Sequence, residues 1–167
     1  MMTTTPLLLI TKDPSHPLAD LALRYTRALL AQTSAVDNEV TDNGVSKSAN
    51  VENNMAKSSE SFCENICESV KAPLNLFFYA DAAHTANRLR WQSADQTNLT
   101  QEWQALAEQY QLPLPVCVST ALSRGISDTD NSTRHQLDGN NVAIGFQLVG
   151  LSELAIMMQG HCRLIQF

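Results

Sequence analysis

The sequence is poor in charge, in cysteine and in long apolar runs. Only 17 % of its residues are charged, and 11 Lys and Arg face 17 Asp and Glu. The formal net charge of −6 argues against a protein that coats nucleic-acid phosphates, which needs a basic surface. It leaves room for an enzyme that reaches RNA through a protein partner. No apolar run approaches the roughly 18–20 residues that cross a bilayer. The opening residues, MMTTTPLLLITKD, carry no basic segment before a short apolar stretch at 7–10, so no export signal is expected. We therefore expect a cytoplasmic protein without membrane contact, whose Cys63, Cys67, Cys117 and Cys162 are thiols. Missing too are G-x-G-x-x-G, the P-loop and G-x-S-x-G. Gly125, Gly139, Gly145 and Gly150 are too scattered to cradle a phosphate, which disfavours nucleotide binding and serine hydrolysis.

What is present is enough apolar material for a core. Hydrophobic residues make up 44 % of 167, sufficient for one domain without disulfide or metal support. They are unevenly spread. Residues 33–71 hold seven Ser, six Asn and seven acids against three Lys, with no apolar period of 2 or 3.6. Such a composition cannot bury enough surface to offset chain entropy. We read it as a disordered or loosely ordered insertion in a single domain spanning 1–167, with a short helix conceivable near 62–70. Most of the negative charge sits there.

Outside that stretch, short apolar runs alternate with amphipathic segments. Residues 6–11 (PLLLIT), 74–79 (LNLFFY), 114–119 (LPVCVS), 142–150 and 162–167 (CRLIQF) read as strands. Helical spacing occurs at 18–31, through Leu18, Leu21, Ala22, Tyr25, Ala28 and Leu29, after Pro17 at a first helical position. It recurs at 82–89, at 99–110 behind a capping Asn98, and at 152–159. Ser119 or Thr120 can cap a short turn through Arg124 that stops at Gly125, and 127–141 reads as a polar loop. This rhythm predicts a three-layer α/β/α sandwich around a mostly parallel sheet of about five strands. In such folds the chemistry lies beyond the carboxyl ends of the strands.

Cys117 is the candidate with most to say. It ends an apolar strand within a turn of a helix start, where backbone N–H groups favour a thiolate, and Arg124 can add positive charge if the turn folds it back. A thiolate is a nucleophile. Free cysteines in apolar strands are also ordinary small core residues. Cys63 and Cys67 stand four apart, but no second pair completes a zinc set, so no metal is expected. Cys162 reads as a packed residue. His16, His84 and His135 fall in loops or at element ends without a motif, His84 being the best placed as a base. Asp81 follows the second strand, as a catalytic acid or a helix cap.

Three segments, 74–89, 114–126 and 145–167, carry a common pattern. Phe77-Phe78-Tyr79 is followed by Ala86-Asn87. Cys117-Val118, Ala121-Leu122 and Arg124-Gly125 form C-V-x-x-A-L-x-R-G. Gly150-Leu151 precedes a terminal Arg163-Leu164-Ile165-Gln166-Phe167. In this order and spacing the chain resembles the DsrE/DsrF-like sulfur-relay family, in particular its subunit of the tRNA 2-thiouridine synthesising system. The resemblance implies a sulfurtransferase with Cys117 as the catalytic residue, carrying sulfur as a persulfide. It implies a TusA-like donor, a TusE-like acceptor, and a heterohexamer with TusB-like and TusC-like subunits. No metal or organic cofactor and no direct nucleic-acid contact are implied. The same family serves dissimilatory sulfur oxidation, which is the alternative pathway. A subunit that only shapes the oligomer, with Cys117 a buried thiol, is the non-catalytic alternative.

Overall fold

A computed structural model describes residues 4–37, 74–159 and 162–167. Five strands, β1 (Thr5–Ile10), β2 (Asn75–Phe78), β3 (Leu114–Cys117), β4 (Phe146–Val149) and β5 (Cys162–Gln166), form one sheet in the order β4-β3-β2-β1-β5. Every pairing in it is parallel. The expected α/β architecture is therefore present, and its carboxyl edge is one continuous rim. β3 is interior, and all four of its residues are buried, as a strand covered on both faces requires.

Alternation along the strands divides the core into two. Leu8, Ile10, Leu76, Phe78, Leu114 and Val116 point to one face, where they meet α1 (Pro17–Asp37) and α2 (Leu99–Tyr110). Trp103 of α2 anchors this layer. Its ring stands edge-on to Phe78 at 5.3 Å between centroids, and Phe78 meets Phe146 at 5.5 Å. Asn98 caps α2 as its sequence suggests, accepting a hydrogen bond from the Gln101 N–H. Leu7, Phe77 and Cys117 point to the opposite face, with Leu9, Tyr79, Val149, Leu154, Met157 and Cys162 packed around them. Only α5 (Leu151–Met157) covers that side among the described helices, and none of its residues is buried.

Several local expectations are corrected. The buried face of α1 is Ala19, Ala22, Leu23, Thr26 and Leu30, whereas Leu18, Leu21 and Ala28 are exposed. The apolar residues of α1 outnumber those the sheet can cover, so the phase of its periodicity was ambiguous. The segment after β2 is a 3-10 helix, Ala80–Ala86, starting and ending before the helical piece expected at 82–89. The loop expected at 127–141 contains α4 (Thr129–His135), capped by Asp128. α4 buries only Ser132, so it has no apolar stripe to betray it. α1 runs to Asp37, into the polar stretch. The remainder of that stretch, with Cys63 and Cys67, lies outside the described residues.

Candidate functional site

Cys117 closes β3 and opens α3 (Val118–Leu122). Its backbone is still extended, at φ −61° and ψ 117°, and it occupies the N-cap position of α3 without a side-chain capping bond. The chain thus changes from strand to helix across one peptide. α3 ends two residues later in a Schellman turn. The Ile126 N–H bonds the Ala121 carbonyl at 2.9 Å and the Gly125 N–H bonds the Leu122 carbonyl at 3.0 Å. Gly125 takes φ +70°, the left-handed conformation this turn needs. Ala121 and Ile126, the two apolar ends of the motif, are both buried. The elbow is accordingly rigid on its far side.

The Cys117 thiol has 0 % exposure. It packs with Leu7 and Phe77, and Val149 stands opposite it in the β3–β4 register. The sulfur is closed to solvent in the isolated chain.

Arg124 does fold back, but onto a carboxylate. Its Nη2 and Nε donate to one oxygen of Asp81 at 2.7 and 3.2 Å, and its Nη1 donates to the Thr120 carbonyl at 3.0 Å. The hydrogen bond from Arg124 holds the Asp81 carboxyl below the usual aspartate range. Asp81 lies in the first turn of the 3-10 helix, whose N-cap is Tyr79, so it is neither the cap nor a free acid. Thr120 Oγ1 donates to the Cys117 carbonyl at 3.0 Å. This role for Thr120 was not visible in the sequence, where it reads only as a possible cap.

The other candidates stand apart. The His16 Nδ1 accepts from the Leu18 N–H at 3.1 Å at the start of α1, and His135 is exposed at the end of α4. His84 shares the 3-10 helix with Asp81 and is half-buried. Cys162 starts β5 on the same sheet face as Cys117. Three strand spacings separate them, about 14 Å, and six residues of rise, about 20 Å. A disulfide needs Cα atoms within about 7 Å, so Cys162 is not a resolving thiol for Cys117 within one chain. Among the described residues no three His, Cys, Asp or Glu gather as metal ligands. A groove of about 650 Å³ lined by Gln104, Glu108, Leu112 and Ile144 contains none of the candidates.

The C-V-x-x-A-L-x-R-G segment thus places a buried cysteine at the carboxyl rim of an all-parallel sheet, followed by a five-residue helix and Arg-Gly. A profile of the DsrE/DsrF-like family matches residues 7–167. The chain belongs to the DsrE/DsrF-like family. It is 37 % identical over 112 residues to a sulfurtransferase TusD homolog of Vibrio parahaemolyticus, covering 67 % of this chain and 86 % of that one. To the sulfurtransferase TusD of Pectobacterium atrosepticum it is 41 % identical over 93 residues, 56 % of this chain and 72 % of the relative. The crystal structure of the ychN protein from E. coli superposes with a TM-score of 0.61, covering 99 % of this chain and 100 % of that chain. At 18 % identity this likeness speaks for the fold alone. Among the described residues no helix is long and apolar enough to cross a membrane.

Proposed function

We propose that this chain is a sulfurtransferase subunit of the TusD type, relaying sulfur for 2-thiolation of the tRNA wobble uridine. The observation that carries the reading is the position of Cys117 at the β3–α3 elbow, in a chain similar over most of its core to sulfurtransferase TusD proteins. The β–α loops at this rim are where parallel α/β folds do their chemistry.

The step is a thiol–persulfide exchange. Once docking exposes it, Cys117 loses its proton to solvent, and its thiolate attacks the terminal sulfur of a donor persulfide, R–S–SH. One S–S bond forms and the donor S–S bond breaks. R–S⁻ leaves and Cys117–S–SH remains, so no external oxidant or reductant is used. Attack on that terminal sulfur by an acceptor thiolate completes the relay. A TusA-like donor and a TusE-like acceptor fit the two halves, with TusB-like and TusC-like subunits completing a cytoplasmic heterohexamer. Partners rather than this acidic chain then meet the tRNA. Residues 33–71 are an addition to the single domain that takes no part in transfer. In support, the Vibrio relative is matched over 86 % of its own length by 67 % of this chain, which is the longer of the two.

Burial of Cys117 adds a requirement, because a sulfur that no solvent reaches cannot meet a donor. Exposure of the thiol accompanies docking of a partner. The same burial is the one observation that favours a non-catalytic, shape-giving subunit. Incubating the protein with a persulfidated carrier and mapping peptides by mass separates the readings. The relay predicts a gain of about 32 Da on the Cys117 peptide, the mass of one sulfur. Sulfur transfer at the normal rate by Cys117→Ser refutes it.

A further inference from the structure

The charge of Arg124 is spent on Asp81, and the Thr120 hydroxyl on a backbone carbonyl. Both groups are turned toward the protein's own polar atoms. Their bonds form one line, joined through the backbone of Thr120. Asp81 accepts from Arg124, Arg124 donates to the Thr120 carbonyl, and the Thr120 hydroxyl donates to the carbonyl of Cys117. The line begins just beyond β2 and ends on the last residue of β3, its neighbour in the sheet. At its origin Ala80 adopts φ 53°, an uncommon conformation for a residue with a Cβ, and this turns the chain so that Asp81 faces α3.

We propose that Thr120, Arg124 and Asp81 are positioning residues for Cys117, a hydrogen-bonded chain that sets the direction of its thiol. The proposal rests on the reading that Cys117 carries the sulfur. The physical need comes from the exchange itself. The attacking sulfur, the transferred sulfur and the leaving sulfur must lie close to one line, so a misdirected thiol lowers the rate even when the donor is bound. Cys117 sits where strand becomes helix across a single peptide. Turning the peptide plane after Cys117 changes its ψ angle, 117° here, and with it the direction of α3 relative to the Cα–Cβ bond that carries the thiol. The Thr120 hydroxyl holds that plane by its carbonyl. Arg124 holds Thr120, and Asp81 fixes the guanidinium of a side chain that is 24 % exposed. Arg124 therefore serves the thiol by anchoring the elbow and not as its counter-ion.

The test loads the full-length protein with a persulfidated carrier protein and follows the rate of sulfur gain on the Cys117 peptide against carrier concentration. Thr120→Val keeps the shape and removes the donor, Thr120→Ser restores the hydroxyl, and Asp81→Ala removes the far anchor at an exposed site. Thr120→Val and Asp81→Ala each lower the maximal rate about five-fold, the effect of one lost hydrogen bond, at unchanged half-saturating donor concentration. Thr120→Ser stays at the wild-type rate. The double variant Asp81→Ala/Thr120→Val is no slower than the slower single, because both cut the same chain. Wild-type rates in both singles, multiplied losses in the double variant, or failure of Thr120→Ser to restore the rate overturn the proposal. Should Thr120→Val fail to fold, Asp81→Ala with Asp81→Glu as its conservative partner gives the same comparison. A wild-type protein whose Cys117 peptide gains no sulfur refutes the relay reading itself, and the positioning claim with it.

Discussion

Cys117 and Val149 are register partners in the β3–β4 pairing, and α5 begins at Leu151, two residues past Val149. The thiol and the start of the helix that covers its sheet face therefore lie at the same level of the rim. Leu154 and Met157 of α5 pack onto the cluster that holds Cys117, while Leu151, Ile156 and Met158 of the same segment are exposed. A helix seated this shallowly is held by few buried contacts, which places its opening at the low end of the stability range.

Leu154→Ala is expected to increase the rate of Cys117 alkylation by iodoacetamide several-fold in the native protein. The lost side chain removes part of the cover and opens space beside the thiol. Peptide mapping of the alkylated protein reads the rate. An unchanged rate means that α5 is not what shields the sulfur.

Cys162→Ser is expected to leave sulfur loading of Cys117 unchanged, since the two residues lie too far apart to exchange sulfur within one chain. Mass mapping before and after donor treatment measures this. A mixed Cys117–Cys162 species in the monomer contradicts the register.

Asp81→Asn makes stability less dependent on pH. The Asp81 carboxyl is held below the ordinary aspartate value of 3.8 by its bond to Arg124. A depressed folded-state value contributes stability above 3.8 that is lost as pH falls through the folded value. The variant is therefore less stable than wild type at pH 7, and the difference shrinks toward zero below pH 3.8. Thermal unfolding at several pH values tests it. A difference that persists unchanged in acid means that the pair is not the source.

Gly125→Ala costs about 1–2 kcal/mol, because a residue with a Cβ is forced into φ +70°. No neighbour lies within 4 Å of the added Cβ, so the cost is conformational and not steric. Gly125→Asn recovers part of it, since Asn tolerates the left-handed region. Urea midpoints of the three proteins give the comparison, and equal midpoints refute the Schellman role of Gly125.

Trp103→Ala is expected to destabilise by about 3–5 kcal/mol, the usual cost of removing a buried aromatic from a packed core. Its ring is 1 % exposed and edge-on to Phe78. Equilibrium unfolding in urea measures the loss.

How far the sequence reached depended on how strongly each element is marked. The interior strands LNLFFY and LPVCVS are apolar on both faces, and nothing else of that length and composition fits. α2 carried both a cap at Asn98 and one consistent apolar face through Leu99, Trp103 and Leu106. α4 offers only Asp128 before it and Arg134 and His135 in its last turn, a capping signal without an apolar stripe, so its sequence reads as loop. In α1, apolar residues surround more of the helix than the sheet can cover. Contact with β1 and α2, and not periodicity, selected Ala22 and Leu23 over Leu18 and Leu21.

The sequence by itself determined the class of fold, the family and the one cysteine worth testing, because strand length, apolar spacing and the Cys–Arg–Gly segment are local properties. Only the tertiary structure decided what surrounds that cysteine. The Asp81–Arg124 bond joins residues 43 apart, and the burial of Cys117 arises from Leu7 and Phe77 on two other strands. Such contacts exist only once parallel strands from distant parts of the chain are brought side by side. Chain order carries no record of which side chains then share a face.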